Sequence, residues 1–309
     1  MIENISIIVD SASPGLTIRD SGKFFELNNI TITNINAEGN GLSLINVENG
    51  SIFAGNFLAN GNIGIYMYNT NLTDVYADCI GNAQYGIYMD KCNSDTFIFC
   101  NVSQNTQGIY LANCTDVVVG FTYIQYNDED GLYAIDSNDN LFVVESDDNK
   151  RGLVLVDSDR NNVSWGEFWD NTVVGVLISE DDGDSTDNLV YINLFSGNII
   201  NAVDNCSVAN DWDNGAYGNE WDDYSGEDNN DDYIGDTPYD ISGTAGAQDN
   251  FPYFWDGKEV VPLPTPDTND DDEDDDEILL DSFYFEKTII LSILGVSLAL
   301  FAIKRVYQK

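Results

Sequence analysis

The feature that most restricts how this chain can fold is a short phrase that keeps returning. A glycine is followed by residues that alternate in character, as Gly15-Leu-Thr-Ile, Gly41-Leu-Ser-Leu, Gly64-Ile-Tyr-Met, Gly86-Ile-Tyr-Met, Gly108-Ile-Tyr-Leu, Gly131-Leu-Tyr-Ala, Gly152-Leu-Val-Leu and Gly175-Val-Leu-Ile. From Gly41 onward the steps are 23, 22, 22, 23, 21 and 23 residues. A fixed period of this size makes the chain a stack of similar units, each covering the apolar face of its neighbour. The first and third residues after the glycine are apolar almost throughout, from Leu42 and Leu44 to Leu153 and Leu155. That period of two belongs to a half-buried strand, and no helical period fits.

A second strand in each unit is expected from Thr96-Phe-Ile-Phe, Val117-Val-Val, Leu141-Phe-Val-Val and Leu189-Val-Tyr-Ile. Asparagines precede many of the glycines by three or four positions (Asn60, Asn82, Asn105, Asn127, Asn149, Asn171), where a tight turn calls for a residue tolerant of left-handed dihedrals. No connection is long enough for a crossover helix. The expected fold class is therefore all-β: a parallel β-helix of about eight to nine coils over residues 1–209, with like residues of successive coils about 4.8 Å apart.

The repeats, with corners such as Asp136-Ser-Asn-Asp-Asn-Leu, resemble the NosD-like right-handed parallel β-helix proteins, especially those of archaeal cell surfaces. Residues 210–256 resemble the closing module of such proteins, through Trp221, Asp223, Tyr224 and Gly235 to Tyr239. The repeat is specific for fold and poorly specific for function. The resemblance implies three functional classes: a surface binding or adhesion module, a polysaccharide-active enzyme of the pectate-lyase-like kind, and an accessory in copper-site assembly.

The chain's 54 acidic and 11 basic residues give a net charge of −43, and there is no histidine. Nucleic acid and polyuronates should be repelled, and the usual neutral-pH base and commonest metal ligand are missing. Within that acidic background, Asp228, Asn230, Asp232 and Asp236 have the 1, 3, 5, 9 spacing of a calcium loop, so calcium is the one cofactor expected. Tyr233 and Tyr239 stand where such a loop wants glycine and glutamate, leaving Asp222 or Asp223 to complete the shell; a solvated acidic turn is the plain alternative.

Tyr66, Tyr88, Tyr110 and Tyr133, second after their glycines, must share the outer face. They form either an intramolecular aromatic ladder or a platform for sugar rings flanked by Asp90, Asp128 and Asp130. An enzyme would need paired carboxylates at set separations; the weak candidates are Asp147 with Asp148 and Asp181 with Asp182, among so many acids that adjacency means little. An arginine-base lyase fits still less, with only Arg19, Arg151 and Arg160 in the repeats. Thr70, Cys92, Cys114, Ser137 and Ser158 share the sixth place after the glycine, so a track of small side chains is expected there. Buried free thiols are favoured over a Cys92–Cys114 bridge, and five cysteines make no disulfide framework. Asn-x-Ser/Thr triplets (at Asn4, Asn29, Asn49, Asn71, Asn101, Asn113, Asn162 and Asn205) are about as frequent as composition alone gives.

Beyond the repeats, a proline-spaced acidic linker occupies 257–281, and the uncharged apolar run 288–303, extended to 282–304, reads as a transmembrane helix with a basic tail to 309. Basic residues on its C-terminal side place that end in the cytoplasm and the solenoid outside a cell membrane crossed once. Such a topology calls for an N-terminal signal, so further upstream sequence is expected. Taken together, the residues favour a non-catalytic carbohydrate-binding or structural module with a polysaccharide or surface glycan as partner.

Overall fold

The computed structural model describes residues 1–254, and all regular structure among them is β. The glycine phrases build one sheet. Leu16–Ser21, the start of Leu42–Leu58, Ile63–Tyr68, Tyr85–Asp90, Gln107–Ala112, Asp130–Ile135, Arg151–Val156, Val174–Ser179 and Ile200–Asp204 pair in parallel, each with the next. Ile65 pairs with Ile87, Ile87 with Ile109 and Ile109 with Leu132, so the repeat in sequence is the register in space.

A second stack faces it, running from Ile2–Val9 through Phe25–Asn34, the rest of Leu42–Leu58, Asn71–Ile80, Val118–Gln125 and Leu141–Asp147. In some turns it divides into two arms, as in Thr96–Ile98 with Asn101–Ser103, and Asn162–Ser164 with Glu167–Trp169. Where it divides, the turn has a third short arm that periodicity did not signal. The bend between arms is made by one residue in the left-handed region: Ala54, Phe99, Phe121, Trp165 or Ile192, with φ between 50° and 57°. The whole is a parallel β-solenoid of the right-handed type with about ten turns. That exceeds the expected eight to nine, because pairing already begins at Ile2 and still links Leu194 to Glu220 and Phe195 to Trp221.

The interior is one continuous apolar cluster. Leu42, Leu44, Ile65, Met67, Ile87, Met89, Ile109, Leu111, Leu132, Leu153 and Leu155 from the glycine sheet meet Phe97, Val119, Phe142, Val163 and Val190 from the other. Near residue 220 the column Phe168, Phe195, Trp221 and Tyr239 closes the core with ring centroids 5.2, 4.4 and 4.2 Å apart. An aromatic end cap lets the last turn bury its face without a further coil.

The asparagines before the glycines do a different job from the one their position suggested. The left-handed turn residue is the one before each: Ala59, Gly81, Gln104, Tyr126, Asp148 and Asp170. Asn60, Asn82, Asn105, Asn127, Asn149 and Asn171 are instead buried, one above another, between Asn34 and Asn198. The Nδ2 of Asn60 donates to Asn82 Oδ1 at 2.8 Å, Asn82 to Asn105 at 3.0 Å, Asn105 to Asn127 at 3.0 Å and Asn127 to Asn149 at 2.9 Å. Each Oδ1 also accepts the backbone N–H of the asparagine below it. Only a side chain with both a donor and a two-lone-pair acceptor can satisfy a buried corner in this way.

Two shorter ladders follow the same rule and end on an acid. Asn140, Asn161, Asn188 and Asn210 lead to Asp204, and Asn193 and Asn219 lead to Asp249. Asp249 accepts from Asn219 N (2.7 Å), Trp221 Nε1 (2.9 Å) and Phe251 N (3.0 Å). Burial outweighs these donors and pushes its carboxyl up to about 6. A raised folded-state value means that the native state holds its proton more firmly than the unfolded chain. The stabilisation is complete below the unfolded value of about 3.9 and is lost as pH rises through about 6. Asp249→Asn should therefore shrink the stability difference between pH 4 and pH 7 by up to about 3 kcal/mol. Urea midpoints of wild type and variant at the two pH values check this; parallel pH slopes would refute it.

Candidate functional site

Tyr66, Tyr88, Tyr110 and Tyr133 stand in one outward column because they occupy one register of the glycine sheet, between inward-facing Ile65, Ile87, Ile109 and Leu132 and inward-facing Met67, Met89, Leu111 and Ala134. Their rings lie face to face, with centroids 5.6, 5.0 and 5.3 Å apart and interplanar angles of 17°, 7° and 7°. Tyr85 packs edge-on against Tyr88 and Tyr110. Arg151 lies over Tyr133 at 6.0 Å while holding buried Asp130 through Nη2 at 2.8 Å. Most ring faces in the column are thus spent on neighbours, and what turns to solvent is a row of edges and hydroxyls. Burial raises all four phenols, Tyr110 to about 12, so they stay protonated.

The paired acids do not converge. Asp147 faces outward from its strand, whereas Asp148 is the left-handed turn residue beyond it. The backbone N–H groups of Asp181 and Asp182 donate to the carboxylate of Asp157, at 2.7 and 3.2 Å, which pins down the exposed 181–184 stretch of the insertion. In the 228–236 loop, Asp228 accepts from the N–H of Asp232 and Tyr233, and Asp232 from that of Ile234. Asp236 accepts from Asn229, and Asn230 donates to Asp232. Asp222 and Asp223 are engaged by Asn201, and Asp223 also by the Tyr239 hydroxyl. Among the described residues no group of three or more histidine, cysteine, aspartate or glutamate side chains stands where it could hold a metal ion.

The small-residue track is present at its expected corner. Ser137 Oγ accepts the N–H of Cys114, Ser158 that of Ser137, and Ser185 that of Ser158, each at 3.0 Å. All five cysteines are unpaired and buried.

One grouping escaped the sequence reading. On the third face, Tyr123, Glu145 and Glu167 fall in one register and Gln125, Asp147 and Trp169 in the next. Together these six line an open cleft. Burial first, and then Asp148 and Asp170, hold the Asp147 carboxyl above its ordinary range. Tyr123 is 49% exposed and Trp169 38% exposed, on an outer surface where the core needs neither. The signal was present in the sequence only as like positions two residues apart in successive turns. It could not be read without knowing where the second stack bends.

The fold and its ladders define a parallel β-helix protein of the kind that presents long, rigid outer walls. The chain belongs to the NosD family: the model described as periplasmic copper-binding protein (NosD) matches residues 11–226. No curated protein matches it. Among solved structures it is similar to the periplasmic alginate epimerase AlgG, at 12% identity and a TM-score of 0.54, over 62% of this chain and 60% of that one. It is also similar to ORF18 of Geobacillus virus E2, at 14% and 0.54, over 68% and 46%. Tailspike protein 2 of the Escherichia coli O157:H7 bacteriophage CAB120 matches at 12% and 0.55, over 81% and 40%. The chain spans about half the length of these structures, and at such identities the likeness is one of fold.

The copper in the family's description does not fit the donors present. The chain has no histidine, and Met67, Met89 and all five cysteines are buried within the stack. A copper site would need several soft or imidazole donors converging on one accessible point.

The anchor expected at 282–304 and the linker at 257–281 lie outside the described residues. Among the described residues, no helix is long and apolar enough to cross a membrane.

Proposed function

We propose that the protein is a carbohydrate-binding module of a cell surface, held to the membrane by residues 282–304 with its solenoid outside. The observation that carries this reading is the set of aromatic side chains placed on outer walls with no core to fill. Phe53, Tyr76, Phe99, Tyr123, Tyr126 and Trp169 are all exposed on the second stack or its corners. A flat, rigid wall bearing aromatic rings beside carboxylates suits a sugar chain, whose C–H faces stack on rings while its hydroxyls donate to acids. That the alginate epimerase carries the same fold supports carbohydrate as the general ligand class, although its uronate polymer is one that the acidic surface here repels. In this reading calcium would enter the acidic 228–236 loop only as Asp228 and Asp232 release the N–H groups they accept in this structure.

A polysaccharide-active enzyme is the second reading. It is favoured by Glu145, Asp147 and Glu167 sharing one cleft, with Asp147 raised as an acid catalyst would need. Incubating the full chain with arrayed and soluble oligosaccharides separates the two. Retention of a glycan that is recovered intact is the expected result, and shortened or epimerised product would favour the enzyme. No retention on any glycan, with and without calcium, would end the carbohydrate reading.

A further inference from the structure

We infer that the saccharide contact is the cleft of Tyr123, Glu145, Asp147, Glu167 and Trp169, and that it takes a neutral glycan and rejects polyuronates. This rests on the carbohydrate-binding reading and deepens it by naming the surface and the substrate class. Three observations point to this wall over the tyrosine column.

The first is the availability of ring faces. In the column the rings stack on one another within 5.0–5.6 Å. A sugar can only reach their edges. Tyr123 and Trp169 sit two turns apart on the third face, with no ring stacked on either among the described residues, and with the carboxylates of Glu145 and Glu167 in the register between and beside them.

The second is strain. Just over half of the non-glycine left-handed positions among the described residues carry asparagine or aspartate, the residues that tolerate them best. The bend beside the cleft instead carries Phe99, Phe121 and Trp165, at φ 52°, 50° and 57°. A bulky residue there costs about 1 kcal/mol or more. Phe99 stacks on Phe121 at 5.7 Å and is still 44% exposed, so core packing does not explain its presence. Of the three, Phe99 is the exposed one, so its strained conformation is kept at the surface.

The third is charge. Three carboxylates in a cleft of a chain with net charge −43 accept hydroxyl donors but repel a uronate's own carboxylates. Successive turns are about 4.8 Å apart, close to the length of one pyranose along a chain. A glycan lying along the solenoid axis would therefore meet one turn per sugar.

Equilibrium binding of the full chain to immobilised neutral, amine-bearing and polyuronate oligosaccharides tests this. Trp169→Ala and Tyr123→Ala should each weaken binding of the neutral glycan at least tenfold, while Tyr88→Ser with Tyr110→Ser leaves it within twofold. Both cleft residues face outward, so unchanged melting of the variants shows that they fold. Glu145→Gln with Glu167→Gln keeps the cleft's shape and should raise polyuronate binding. The inference is overturned if the wild type holds a neutral glycan and both cleft variants hold it equally well, if the tyrosine variants abolish retention, or if the wild type prefers a polyuronate. It is likewise overturned if Trp169→Ala abolishes a concentration-dependent dimer and leaves glycan retention intact, since the wall would then be occupied by a second copy. Failure of the wild type on every glycan would instead end the broader reading.

Discussion

Gly64→Ala is expected to destabilise the solenoid by about 3 kcal/mol, the upper end of what overpacking a closed core costs. A Cβ at this position would stand 2.6 Å from the carbonyl oxygen of Gly86 and 2.8 Å from Asn82 Nδ2. Neither can retreat, because the first belongs to the backbone of the next turn and the second is locked in the buried ladder. Gly131 and Gly175 meet the same obstacle, at 2.6 Å from Gly152 O and Asn201 O. None of these glycines has a left-handed φ. The control is Gly81, which has φ +68° and open space around its missing Cβ. Gly81→Ala should cost only about 1 kcal/mol, the conformational penalty alone. Urea denaturation of the two variants beside wild type gives the comparison, and equal losses would show that crowding is not the constraint.

Asn105→Ala should cost about 3 kcal/mol or more, because it strands partners on both sides. The Asn105 Oδ1 accepts from Asn82 N at 2.8 Å and Asn82 Nδ2 at 3.0 Å, and its own Nδ2 donates to Cys79 O and Asn127 Oδ1 at 3.0 Å each. Removing the amide leaves the buried Asn82 N–H without its acceptor and takes one of two partners both from Asn82 Nδ2, which keeps Phe57 O, and from Asn127 Oδ1, which keeps the Asn105 N–H. Asn105→Asp should be worse at neutral pH, since it sets a carboxylate oxygen against two acceptors. Thermal and urea melts of both variants test the point. A loss below 1 kcal/mol for Asn105→Ala would mean that the ladder reports the fold without supporting it.

Much of the architecture was legible because a stacked ribbon repeats its environment. When one turn lies on another in register, Ile65, Ile87, Ile109 and Leu132 face the same neighbours, and the sequence records this at a fixed spacing. The Thr70-to-Ser158 track was visible for the same reason. The role of the asparagines was not. A residue that tolerates left-handed turns and a residue that bridges buried backbone groups are the same amino acid, and only the burial of Asn105 beside the left-handed Gln104 separates the two. The tyrosine column was visible as a column, but whether its ring faces were open or stacked depends on side-chain rotation that spacing does not carry.

Local chemistry repeated at a constant interval therefore determined the strand period, the inward face, the parallel stacking and the acidic surface, since each depends on neighbours one turn away along the chain. Tertiary structure alone decided the third arm, the ladder-ending acids Asp204 and Asp249, and the grouping of Tyr123, Glu145, Asp147, Glu167 and Trp169. These depend on where each turn bends. A single left-handed residue at Phe99, Phe121 or Trp165 sets that bend, at positions where its amino-acid type gives no sign of it.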